Sequence, residues 1–197
     1  MSKTQRQITR DDIMDMAEYA KVRKARRADL LAIKKHRRVD VGPYASFYFE
    51  NYETMWHQVH EMLHIEQGGE EQIPGELDAY NPLIPQGKEL VATFMLEIPD
   101  PHVRARTLSR LGWIEDKVRL RFAGHEIEGT PEDDIDRTTE DGKTSSVHFI
   151  TFTFTDEQIA AFKEAGTEAI LAIVHDNYKH MAGLPEDTRD ALAGDLE

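Results

Sequence analysis

The spacing of apolar residues changes near Lys88, and that change limits the fold more than any other feature. Before it, apolar side chains recur by threes and fours apart from one gap after Ala20: Ile13, Ala17, Ala20, Ala28 and Leu31, then Met55, Val59 and Met62. After it, Leu90, Ala92, Phe94, Leu96 and Ile98 alternate with Val91, Thr93, Met95 and Glu97. The first spacing belongs to an amphipathic helix and the second to a strand with one buried face, so the chain reads as α+β.

Thr9, Asp11 and Asp12 supply a helix start, and a helix is expected from there to about Arg37, ended by Val39-Asp40-Val41-Gly42-Pro43. A second is expected from about Tyr44 to Gln67, stopped by Gly68-Gly69. The stretch 69–87 holds three prolines and three glycines and reads as an irregular linker. Beyond it come a strand ended by Pro99, a helix over 100–112, a strand over 118–122 and a polar connection over 123–145. A strand over 146–154, a helix from Thr155 to Gly166, a strand over 169–174 and a short helix from Pro185 follow. The order from Lys88 to Val174 is β-α-β-β-α-β, the pattern of a ferredoxin-like antiparallel sheet with two helices on one face. Val91, Met95, Ile150 and Phe152 leave both faces partly apolar, so the N-terminal helical pair is expected to cover the other. The expected organisation is a helical arm (1–68), a linker loop (69–87) and a sheet region (88–197) in one integrated domain.

The charge is divided. Residues 1–40 carry 12 Lys/Arg against 6 Asp/Glu, whereas the rest carries 12 against 31. The basic run Lys21–Arg38 lacks interleaved aromatic residues, and the acidic remainder repels phosphate, so no nucleic-acid partner is expected. Arg23, Arg26 and Arg27 are instead expected to face the chain's own carboxylates. No apolar run approaches the roughly 20 residues of a membrane span, and MSKTQRQITRDD lacks the apolar centre of a signal peptide, so a cytoplasmic protein without a membrane partner is expected. With no cysteine, any metal must rest on His, Asp or Glu.

One segment could carry chemistry. Residues 49–66 read FENYETMWHQVHEMLHIE, and on a helix Glu50, His57, Glu61 and His64 fall on one broad face. Glu61 and His64 form a Glu-x-x-His step, which in di-iron and di-manganese helical proteins supplies a bridging carboxylate and a terminal imidazole. Fe, Mn or Zn would suit such a set, with His175 and Tyr178 completing or supporting it. The reading without a metal has Glu50, Glu61 and Glu66 paired with Arg23, Arg26 or Arg27 across two helices, a purely structural network. A third reading makes His175 a general base and Tyr178 an acid. His148 reads as structural, and no nucleophile elbow or phosphate loop is present.

Several stretches, Thr9-Arg10-Asp11-Asp12, Arg37-Arg38-Val39, Val41-Gly42-Pro43, Phe49-Glu50-Asn51, Glu61-Met62-Leu63, Glu97-Ile98-Pro99-Asp100 and Gly142-Lys143-Thr144-Ser145, carry a resemblance. With Gln58, Glu66, Phe149, Phe152, His175 and Tyr178, they resemble an uncharacterised bacterial family, a domain of unknown function encoded beside rubrerythrin-like and iron–sulfur oxidoreductase genes. In similar sequences position 64 is more often Arg, and 57 and 60 are not His. The resemblance therefore favours Glu50, Gln58, Glu61, His175 and Tyr178, with Arg23 and Arg27 beside them, as a polar core. It implies an accessory protein of a peroxide-defence or iron-redox system that binds a rubrerythrin-like or iron–sulfur partner, to which the spacing of Glu50, His57, Glu61 and His64 adds a Glu/His pocket suited to a non-haem metal. The alternative is a non-catalytic interaction module whose Arg–Glu helix pair is structural.

Overall fold

A computed structural model describes residues 6–132 and 137–197. Thr9 and Asp12 do form the expected cap, Asp12 accepting from the Thr9 amide (2.9 Å) and hydroxyl (2.8 Å), but it closes only a 3₁₀ turn. Ile13 is extended, and helix α1 (Met16–Lys35) starts on Asp15, whose carboxylate accepts from the amides of Ala17 and Glu18. The expected helix from Tyr44 is shorter at its front. Arg38–Val41 (β1) and Ala45–Phe49 (β2) form a hairpin turned at Gly42 (φ +73°), and α2 (Tyr52–Glu66) begins after Asn51, whose side chain accepts from the Thr54 amide. The run Ala45–Phe49 joins the sheet because Phe47 stacks flat on Phe94 of the neighbouring strand, ring centroids 4.6 Å apart. The expected linker carries α3 (Ile73–Tyr80), with Pro74 in its first turn where no amide donor is needed.

The remaining elements are β3 (Glu89–Leu96), α4 (Pro101–Leu108), β4 (Val118–Phe122), β5 (His125–Glu128), β6 (Thr130–Pro131) and β7 (Val147–Thr153). They end with α5 (Asp156–Lys163), β8 (Ala169–His175), β9 (Tyr178–Gly183) and α6 (Glu186–Ala193). The α+β class holds, but the single ferredoxin-like sheet does not form. Among the described residues the strands make two antiparallel sheets, ordered β1-β2-β3-β7-β6 and β5-β4-β8-β9. The chain passes between them at Gly129, where a Cβ would lie 2.5 Å from Ile150 Cγ2 and 3.2 Å from Phe152 Cε1. Only a residue without a side chain lets the strand cross from one sheet to the other at that distance.

Phe47, Phe94, Ile150 and Phe152 of one sheet pack with Leu120, Phe122, Leu171 and Ile173 of the other in the main core. A second core joins Tyr19, Met55, Trp56, Val59, Leu63 and Ile73 to Val91, so the N-terminal helices cover the outer face of the first sheet, as expected. Residues 1–68 are not only a helical arm, because β1 and β2 belong to the same sheet as β3 and β7. The chain's end locks this arrangement. Buried Arg37 holds Asp195 through two hydrogen bonds (2.8 and 2.7 Å), and the Glu197 amide donates to Gly87 O. Among the described residues no helix is long and apolar enough to cross a membrane.

Candidate functional site

Glu61 is the centre of the polar contact between α1 and α2. Arg23 donates to it twice (Nε to Oε1 2.8 Å, Nη2 to Oε2 2.7 Å), and the buried Tyr19 hydroxyl donates to Oε1 at 2.8 Å. These donors, the guanidinium first, hold the Glu61 carboxyl at about 2. Burial in the apolar contact pushes the Tyr19 phenol well above its ordinary range. His60, one turn before His64, is fully buried and fixed as one tautomer: Nδ1 donates to Trp56 O (2.7 Å) and Nε2 accepts from the Met14 amide (3.0 Å). Burial lowers it to about 4, so it is neutral. His57 is 9% exposed, lowered by burial, and its Nε2 has no hydrogen-bond partner, lying 4.0 Å from Glu61 Oε1. His64 packs edge-on against Tyr19.

The five candidate metal ligands are not brought together. Glu50 precedes α2 rather than sitting on it, and its buried oxygens accept from the hydroxyls of Thr54 and Thr93, each at 2.6 Å. Glu61 already holds three donors, and His175 stands in the other sheet. There its Nδ1 accepts from the Asn177 amide and its Nε2 donates to Gly112 O. Among the described residues no three His, Asp or Glu side chains are placed to hold one ion. The pocket expected to join Glu61 to His175 and Tyr178 is likewise absent from the described residues. Tyr178 is buried, its hydroxyl accepting from the amides of Tyr44 and Ala45 and donating to Val41 O, which saturates it as the clamp of the β1–β2 turn. Gln58 reaches Tyr80 at 3.5 Å, and Glu66 accepts from Gln72 rather than from an arginine. His148 is structural, enclosed in a buried group with Thr144, Ser145 O and Glu115.

The expected internal match of charge is realised by one arginine of three. Arg23 pairs with Glu61, Arg26 lies over the Trp56 ring at 5.2 Å, and Arg27 is exposed. Among the described residues Lys24, Arg26, Arg27, Lys34 and Lys35 have no ion-pair partner. Lys24, Arg27, Leu31 and Lys35 follow one another by threes and fours, so they share one outward face, on which Leu31 is 71% exposed. The opposite side of α1 roofs a cleft of about 620 Å³ between α1, α2, Ile84-Pro85 and the end of α6, lined by Trp56 and His57. Sequence reasoning missed this cleft, whose walls come from segments far apart in the chain. The one local signal was the sparse apolar content of α1, too little to seal a long helix against a core.

The family described as "Protein of unknown function (DUF3501)" matches residues 7–196. A crystal structure of a novel protein of unknown function from Burkholderia pseudomallei K96243 superposes with a TM-score of 0.89 at 38% sequence identity, covering 96% of this chain and 99% of that one. No curated protein matches.

Proposed function

The chain belongs to this family of proteins of unknown function, and we propose that it is an interaction module that docks an acidic protein surface through the outward face of α1. The observation that carries this is the face itself: Lys24, Arg27 and Lys35, without an ion-pair partner among the described residues, around exposed Leu31, on a chain that is otherwise strongly acidic. Unpaired cations around an exposed leucine suit an acidic partner with an apolar contact at its centre, since opposite charge speeds encounter and apolar burial lengthens residence. The Arg23–Glu61–Tyr19 contact serves to hold that helix, not to react. A rubrerythrin-like or iron–sulfur oxidoreductase protein is the partner class that the family resemblance suggests.

The test measures binding of purified proteins of those two classes to the wild type, to Lys24→Glu/Arg27→Glu/Lys35→Glu and to Glu61→Gln. The triple variant is expected to bind at least tenfold more weakly, and binding to the wild type to weaken steeply with salt. Glu61→Gln is expected to lose stability and keep its affinity. Equal affinity of the triple variant, or tighter binding of nucleic acid than of either protein, would overturn the proposal.

A further inference from the structure

His148 and Glu115 form a buried pair beside Phe94 in the main core, and hydrogen bonds join that pair to an exposed tryptophan. His148 Nε2 donates to Ser145 O (3.1 Å), a carbonyl that can only accept, so the proton sits there and Nδ1 carries a bare lone pair. That Nδ1 has no hydrogen-bond partner and lies 3.7 Å from Glu115 Oε2. Two acceptors thus face each other in a water-excluded interior, and one more proton would turn the gap into a bond. Among the described residues the other charged groups facing His148 are Arg137 and Glu132, which pair with each other, while β3 meets it with the Phe94 ring. Burial holds the imidazole below its ordinary range, so it is neutral at pH 7 and takes its proton from water on acidification.

Glu115 is held from two sides. Thr138 and Thr144, opposite each other in an antiparallel bridge, donate their hydroxyls to Oε1 (3.1 Å) and Oε2 (3.4 Å). Thr138 Oγ1 in turn accepts from the Trp113 amide at 3.0 Å. Trp113 is 55% exposed and left-handed (φ +59°), a conformation that bulky side chains avoid and that persists only where neighbours impose it. The same loop lies against Gly112, where a Cβ would stand 2.5 Å from Gly142 O. A protonated His148 would draw Glu115 toward Nδ1 and away from Thr138, loosening the acceptor that fixes Trp113. From this relay we propose that His148 and Glu115 form an acid-sensitive latch, which holds Trp113 in place near neutral pH and frees it when His148 is protonated. Because the folded value of His148 lies below its unfolded one, the hold is complete above about 6.5 and is lost as pH falls through the folded value.

The test follows the His148 ring and the Trp113 backbone amide by NMR from pH 8 to 4.5, with circular dichroism to check that the protein stays folded. The Trp113 amide is expected to shift with the same midpoint as the His148 ring, below 6.5, and to lose about tenfold of its protection from hydrogen exchange across it. In Thr138→Val the His148 titration is expected to remain while the Trp113 amide no longer follows it. His175→Gln removes the imidazole bonded to Gly112 O and is expected to leave the Trp113 shift unchanged. A wild-type Trp113 amide that does not move at the His148 midpoint overturns the latch, as does a His148 ring that does not titrate in the folded protein. Loss of the shift in His175→Gln, its persistence in folded Thr138→Val, or global unfolding at the same midpoint overturns it equally.

Discussion

Replacing Glu61 by Gln keeps the shape of the side chain and removes the charge that ties α1 to α2. The native carboxyl is lowered from 4.5 to about 2, and at about 1.36 kcal/mol per unit that amounts to about 3.4 kcal/mol at neutral pH. Glu61 keeps 15% of its side-chain surface in water and Arg23 keeps 31%, so screening reduces this to about 1–2 kcal/mol. In a chain of this length the melting temperature should fall by about 3–6 °C. The pH dependence is the sharper signature. A carboxyl whose folded value lies below its unfolded one stabilises fully above the unfolded value, and its contribution fades as pH falls through 4.5 toward 2. By pH 3.5 about two-fifths should be gone. Urea unfolding followed by circular dichroism at pH 7, 5 and 3.5, wild type against Glu61→Gln, measures the gap. A gap under about 0.3 kcal/mol at pH 7, or one equally large at pH 3.5, would refute the assignment of Glu61 as the charged staple of the helix pair.

Gly129→Ala places a Cβ against Ile150 and Phe152 at the sheet crossing and should destabilise by about 1–3 kcal/mol, read as a lower urea midpoint with an unchanged slope. Tyr178→Phe strands the amides of Tyr44 and Ala45 and should cost about 1–3 kcal/mol, with hydrogen exchange at those two amides rising more than elsewhere in the sheet. His60 should titrate near pH 4 by proton NMR in the folded state. Its folded value lies below its unfolded one, so it should stabilise fully above about pH 6.5 and lose that contribution as pH falls to about 4. A His60 resonance titrating near 6.5 would show that the imidazole is not enclosed as described.

Elements whose signals are local were legible. Strands β3 and β4 announce themselves by alternation, β7 by its β-branched and aromatic residues and β8 by a short apolar run, and α4 and α5 by Asp100-Pro101 and by Thr155 with Gln158 three residues on, a capping box present in the fold. The Arg23–Glu61 pair was also within reach, since spacing places both on helix faces and only the docking of two helices was left to supply. The strand Ala45–Phe49 was not, because five consecutive apolar and small residues beside a helix suit either state. Its neighbour β3, more than forty residues away, decides it through the stacking of Phe47 on Phe94. Strand β9 escaped for a related reason: Tyr178–Gly183 is mostly exposed and shows no apolar alternation until it pairs with β8.

The sequence by itself determined the class of this protein: a helical, basic front and an alternating, acidic remainder, without cysteine and with Glu61 and the arginines of α1 on facing stripes. Tertiary structure alone decided that the strands divide between two sheets at Gly129, and that Tyr178 closes a turn instead of lining a pocket. It also decided that, among the described residues, one of three arginines meets a carboxylate, which leaves a basic face outside α1 and a cleft beneath it. The physical reason is competition for partners. Periodicity states which way a side chain faces, but which of several equally suited donors reaches Glu61, or which strand takes a sheet edge, depends on segments brought together only by folding.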